Sequence, residues 1–287
     1  MKAPSLLASI AECRAALAAE RRGGDRIGFV PTMGALHAGH LSLLARARAT
    51  SDCVVLSIFV NPLQFGPAED YDTYPRDMEK DLRLAGEGGA DFVFAPRAAE
   101  MFPVPLLTRV TMREVIEDFE GAARPGHFDG VLTVVAKLFN IVQPDVAVFG
   151  QKDAQQAAAI RTMTVDLDFP VQILVVPTVR DPDGLALSSR NATLSDDERR
   201  RAQRLHFALA EAADLAAAGE TDPRRLEAAM RSALSEVPGI DVDYVAVVDR
   251  DRFRPLDRLD RPALAAVAVR VGRTRLIDNL PLGADDR

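Results

Sequence analysis

The sequence predicts an α/β protein: a parallel sheet covered by helices on both faces, followed by a smaller α+β domain. Short, continuous apolar runs alternate with segments of helical period up to Val179, and beyond Arg180 the order changes to helices followed by extended runs. Ile10 to Arg21 reads as the first helix, closed by Gly23-Gly24, and Ile27 to Val30 as a buried strand. A loop leads into a helix from Gly39 to about Thr50, where Leu41, Leu44 and Ala47 fall at helical spacing, and Val54 to Val60 forms the next strand. A Pro- and Gly-containing loop from Asn61 to Pro75 precedes a polar helix reaching about Glu87 and a strand from Phe92 to Ala95. Gly130 to Val142, Val146 to Phe149, Ala154 to Leu167 and Val171 to Val176 continue as helix, strand, helix, strand. Sheets of this kind bind ligands at the carboxyl ends of their strands.

In the last third, Ser195 and Glu198 form a capping-box signature, and Leu205, Ala208, Leu209, Ala212 and Ala216 make one helical stripe ended by Gly219. A second helix starts near Asp222 with Pro223 in its first turn and stops before Pro238. Val242 to Val248 and Ala263 to Val271 are extended runs. The expected domains are residues 1–179 and 180–287, in keeping with a chain longer than the usual domain of about 100–200 residues.

Composition narrows the function. Net charge is −7, which argues against broad binding to nucleic acid or an anionic membrane. No stretch approaches the roughly 18 apolar residues of a membrane span. Cys13 and Cys53 are too few for a disulfide framework or a cysteine-built zinc site, which fits a reducing cytoplasm.

Three segments carry chemistry. Pro31-Thr32-Met33-Gly34-Ala35-Leu36-His37-Ala38-Gly39-His40 links a buried strand to a helix N-terminus, where free N–H groups and the dipole favour phosphate. His37 and His40 are three apart and suit phosphate oxygens or charge developing on an α-phosphate. A turn without chemistry and a metal pair are the competing readings, the second weakened by a total of four histidines and no nearby cysteine. Phe149-Gly150-Gln151-Lys152-Asp153 also follows a strand and opens a helix. Gly150 permits close approach to the backbone, Lys152 offers a point charge to phosphates, and Asp153 an acceptor for ribose hydroxyls. A solvated loop lysine is the plainer reading of Lys152 taken alone. In Asp183 to Asn191, two hydroxyls and a guanidinium at Ser188, Ser189 and Arg190 suit triphosphate oxygens. Ser-rich cap chemistry is the alternative, although Ser195 already fills that part. No Walker A, G-x-G-x-x-G or G-x-S-x-G pattern supports a kinase, dehydrogenase or hydrolase.

The three segments in this order resemble the adenylate-forming H-x-G-H nucleotidyltransferases, and their surroundings resemble the pantoate–β-alanine ligase family. The carriers are Pro31 to His40, Phe59 to Phe65, Tyr74-Pro75-Arg76, Arg124 to Phe128, Gly130 to Val135, Lys152-Asp153 with Gln155-Gln156, Asp183 to Asn191, and Arg275 to Asn279. The resemblance implies a Rossmann-like first domain, a C-terminal lid and a homodimer. It implies ATP, pantoate and β-alanine as substrates, pantoyl adenylate as intermediate, and Mg²⁺ arriving with ATP. Carried over by motif, Met33, Gly34, Ala35, Leu36, His37, Ala38, Gly39 and His40 line the ATP site, with His40 as proton donor. Gln64 and Gln156 hold pantoate. Gly150, Gln151, Lys152, Asp153 and Val179 meet ribose and adenine, and Leu187, Ser188, Ser189 and Arg190 close over the triphosphate. The Pro and Gly of Asp181-Pro182-Asp183-Gly184, at the domain junction, suit a hinge. The sequence departs from the family at Gln151, usually Glu, at Ala154, usually aromatic, and at Leu187, usually Met. A nucleotidyltransferase that releases its adenylylated product and an idle nucleotide-binding paralogue are the rival readings.

Overall fold

The computed structural model describes residues 3–66, 71–72 and 74–283; within the expected Asn61–Pro75 loop, residues 67–70 and 73 lie outside the described residues. The chain divides into two compact units, Met1–Gly150 with Ala159–Val176, and Gln151–Ala158 with Pro177–Arg287.

The first unit holds β1 (Ser5–Leu7), α1 (Ile10–Gly23), β2 (Ile27–Thr32), α2 (Ala38–Thr50), β3 (Cys53–Ile58), α3 (Met78–Glu87), β4 (Phe92–Phe94), α4 (Ala98–Met101), α5 (Glu120–Ala123), α6 (His127–Val142), β5 (Val146–Gly150) and β6 (Gln172–Val176). Helix α7 (Ala154–Asp166) begins in the segment grouped with the second unit and ends in the first. The six strands form one parallel sheet in the order β1-β4-β3-β2-β5-β6. Successive residues of β3 and β5 are buried, so both sheet faces are covered, which is why the sequence shows runs and not alternation. Val54, Leu56, Val146 and Val148 share a core with Leu44 and Ala47 of α2 and Ala85 of α3. From β2 the chain steps one way to β3 and β4, and from β5 the other way to β6. The switch point of this doubly wound sheet therefore lies between β2 and β5, where ligands bind outside the carboxyl ends.

Local chemistry sets the element ends. Ser9 and Glu12 form a capping box at the start of α1, and Gly24 closes it in the left-handed region. Helix α6 starts three residues before the sequence suggests, because Gly126 turns the chain at φ 80° ahead of His127. Strand β1 is only three residues long and left no periodic signal.

The second unit contains α8 (Asp196–Ala202), α9 (Arg204–Ala217), α10 (Pro223–Ser235), β7 (Ile240–Asp249), β8 (Ala263–Val271) and β9 (Thr274–Leu282). The strands form an antiparallel sheet in the order β7-β8-β9, sharing a core with Leu205, Leu209, Leu226 and Met230. Two features differ from the sequence reading. The first helical region breaks at Gln203, whose side chain reaches Asp183, and a third strand, β9, was masked by buried Asp278 and Asn279 and by Pro281.

His206 lies in α9 with its Nδ1 buried and without a hydrogen-bond partner. Burial, with the Arg180 guanidinium adding to it against Asp278, pushes the imidazole pKa down. The unfolded chain takes up this proton more readily, so the stability it contributes is present above the ordinary histidine range of about 6.5 and is lost as pH falls. Thermal unfolding of His206→Leu should accordingly lose less stability than the parent between about pH 7 and about pH 5; parallel pH profiles would show that His206 does not titrate against folding.

Candidate active site

At the carboxyl end of β2, the Thr32 hydroxyl donates to Ser57 O (2.6 Å) and accepts from Gly34 N–H (3.2 Å). Gly34 (φ 85°) and Ala35 (φ 52°) then take the left-handed conformation. A Cβ on Gly34 would sit 2.8 Å from Asp81 Oδ2, so both the turn and the space call for glycine. Asp81 of α3, 1% exposed, accepts from Ala35 N–H (2.9 Å) and Leu36 N–H (2.8 Å). The loop is thereby pinned by one buried carboxylate.

His37 is the N-cap of α2. Its Nδ1 accepts from Gly39 N–H (3.1 Å), while His40 Nδ1 accepts from His37 N–H (3.3 Å), and the two rings lie 4.2 Å apart. A backbone N–H only donates, so in each neutral ring the proton is on Nε2. The result is two adjacent imidazole Nε2–H donors at a helix N-terminus whose first turn carries no acidic residue. Such an arrangement attracts anionic oxygens.

Gln64 ends a short turn, Pro62–Gln64. Asn61, 1% exposed, donates from Nδ2 to Gln64 Oε1 (3.0 Å) and Gly130 O (3.1 Å), which leaves Gln64 Nε2 beside Met33 Sδ (3.4 Å). Gly130 allows α6 to press on this turn, since a Cβ there would lie 2.3 Å from Leu63 O. His127 Nδ1 is 2.9 Å from Gln64 O and its Nε2 2.9 Å from Arg124 Nη1; the carbonyl makes Nδ1 the donor and Nε2 the acceptor. Met33, His37, His40 and Gln64 thus have geometry of their own within the first unit.

In the second unit, Gln151–Asp153 form a 3₁₀ turn. The Lys152 side chain is 19% exposed, with Nζ 3.8 Å from Asp153 Oδ1, so it is not a solvated loop lysine. Gln151 does not extend freely: its Nε2 donates to Asn279 Oδ1 (2.9 Å). Val179 O accepts from Leu187 N–H (3.0 Å), which pairs the two expected adenine contacts directly. Ser188 caps the turn Ser189–Thr193 by accepting from Arg190 N–H (3.3 Å). Lys152, Ser188 and Arg190 line one cleft with Ile277 and Asp278. Gln156 sits half-buried near the start of α7. Within the Asp181–Gly184 segment, Arg199 binds Asp181 (2.6 Å) and Asp183 (2.8 Å), and Arg180 binds Gly184 O (3.1 Å). Guanidinium bonds of this kind suit a fixed turn.

Sequence reasoning did not assign roles to Asp81, Asn61, His127 or Asn279. Asp81 had a signal: a carboxylate one turn before Ala85 on the buried side of α3. The cysteines take no part, because burial pushes the Cys13 thiol up to about 11 and the Cys53 thiol up to about 12, keeping both protonated. Among the described residues no group of three or more His, Cys, Asp or Glu side chains is placed to hold a metal, and no helix is long and apolar enough to cross a membrane.

Residues 5–281 match the family described as pantoate-beta-alanine ligase. Pantothenate synthetase of Moorella thermoacetica is 52% identical over 281 residues, covering 98% of this chain and 99% of the relative. The Acidothermus cellulolyticus pantothenate synthetase is 53% identical over 287 residues, covering 99% and 93%. Among solved structures, pantothenate synthetase from Thermus thermophilus superposes with a TM-score of 0.91 at 48% identity, covering 96% of this chain and 98% of that one. The Francisella tularensis pantoate-beta-alanine ligase, solved with beta-gamma ATP and beta-alanine, gives 0.79 at 32% identity with 97% of both chains covered. This chain belongs to the pantoate–β-alanine ligase family, whose reaction is the ATP-dependent condensation of pantoate with β-alanine.

Proposed function

We propose that the condensation runs in two steps. The pantoate carboxylate attacks the α-phosphorus of ATP, pyrophosphate leaves, and pantoyl adenylate remains bound; the β-alanine amine then attacks the acyl carbon, and AMP leaves with pantothenate as product. The paired imidazoles of His37 and His40 at the α2 N-terminus carry this reading. Two Nε2–H donors there stabilise charge that grows on phosphate oxygens in the first step, His40 keeping its proton and acting as a hydrogen-bond donor. Gln64 and Gln156 orient the pantoate oxygens as neutral amides, which leaves the carboxylate nucleophilic where a cation would hold it in an ion pair. Lys152 and Arg190, sharing a cleft with Ser188, are assigned to the phosphates, and Val179 and Leu187 to the adenine edge. Mg²⁺ would enter with ATP as MgATP and would neutralise part of the phosphate charge. The chain is assigned to the cytoplasm as a homodimer, with no nucleic acid or membrane partner.

With ATP and pantoate alone, the enzyme should release about one equivalent of pyrophosphate per site in a burst and then stall, because a closed site shields the mixed anhydride from water. Rapid-quench measurement of pyrophosphate checks this. A strict need for β-alanine before any pyrophosphate appears would point to a concerted reaction.

A further inference from the structure

The Arg275–Asn279 segment has no part in the roles above, yet its last two residues are nearly inaccessible, Asp278 at 3% and Asn279 at 4% exposure. We propose that Asn279 is a positioning residue for adenylation, fixing the turn from which Lys152 projects.

The Asn279 Nδ2 donates to the carbonyls of both Gln151 and Lys152, each at 3.0 Å, and its Oδ1 accepts from Gln151 Nε2 at 2.9 Å. The two carbonyls flank the Lys152 Cα, so holding both sets the direction in which its side chain leaves the backbone. Only a primary amide offers two N–H donors and an acceptor in one plane. Alanine would strand three polar groups, and aspartate would set a carboxylate against two carbonyl oxygens. Asp278 anchors the clamp. It takes Arg180 in a two-pronged pair (2.6 and 3.0 Å) and accepts from Asn279 N–H (2.8 Å), while Arg180 also binds Asn279 O (3.2 Å). Through Arg180 the same strand holds Gly184 O, at the head of the segment leading to Ser188 and Arg190. β9 therefore ties together the two phosphate-facing segments of the second unit.

This rests on the assignment of Lys152 to the phosphates, and the two are separable. Lys152→Ala alone should lower pyrophosphate release from ATP and pantoate by roughly 100-fold; an unchanged rate overturns the assignment of Lys152 itself. Asn279→Asp, close in shape to the parent, should lower the same rate by roughly 30-fold or more, the scale of a 1 Å misplacement. In the Lys152→Ala background the same change should cost less than about threefold, because nothing remains to be misplaced. Amide formation from supplied pantoyl adenylate should stay within about threefold, which a general loss of structure would not allow. Thermal unfolding screens the variants first. If Asn279→Asp does not fold, Gln151→Leu, which removes one of the three bonds and leaves Asn279 in place, carries the comparison with a loss of about 3- to 10-fold. An equal loss with and without Lys152, or no loss in a folded variant, overturns the proposal.

Discussion

Replacing His40 by alanine is expected to lower pyrophosphate release from ATP and pantoate by roughly 100-fold or more, since a positioned donor to a developing phosphate charge contributes on that scale. The change has two parts. His40 supplies an Nε2–H, but its Nδ1 also accepts from His37 N–H at the start of α2, so alanine removes both a donor and part of the cap. His40→Asn separates them. Its Oδ1 can take over the acceptor position near the helix start, while nothing replaces the Nε2–H. If the donor matters, the asparagine variant should unfold within a few degrees of the parent and still lose most of the alanine variant's rate. A burst-phase rate of pyrophosphate release near the parent value in either folded variant would remove His40 from the mechanism.

The fold was largely legible because buried parallel strands must be apolar throughout. Val54 to Leu56 and Val146 to Val148 cannot be anything but covered on both faces. β1 and β9 were not legible, for different reasons. Three residues carry no period, and β9 buries two consecutive polar side chains, Asp278 and Asn279, which break an apolar/polar alternation. Pro and Gly mark a turn at Asp181–Gly184, but its partners Arg199 and Arg180 were not readable from that local window.

The residues nearest the chemistry were readable as types at a strand–helix junction. Those that hold them in place were not. His37 and His40 declare themselves by spacing, whereas Asn61, Asp81 and Asn279 act through contacts over 69, 45 to 46 and 127 to 128 positions. Gln151 shows the cost of reading a residue alone. It stands where the family usually has Glu, and its side chain donates to Asn279 Oδ1 across 128 positions.

The largest stability effect is expected at Asp81. Its carboxylate is 1% exposed and its two oxygens each accept one backbone N–H of the Ala35–Leu36 segment. Hydrogen bonds to a charged group contribute about 1.5–3 kcal/mol each, and removing the acceptor leaves two N–H groups unmet, so Asp81→Ala should cost roughly 3–5 kcal/mol. The loop has reason to move once released. Ala35 is held at φ 52°, a conformation that costs a non-glycine residue on the order of 1 kcal/mol and persists only under external constraint. Because His37 and His40 follow directly on that loop, relaxation should also raise KM for ATP. Asp81→Asn keeps one acceptor but turns an amide N–H₂ toward the other backbone donor, so it should fall between parent and alanine, closer to alanine. Chemical denaturation gives the stability and initial rates give KM for ATP. Loss of less than about 1 kcal/mol, with KM unchanged, would mean that the turn at Gly34 and Ala35 is held by the sheet and by Thr32, and that Asp81 merely occupies the space beside it.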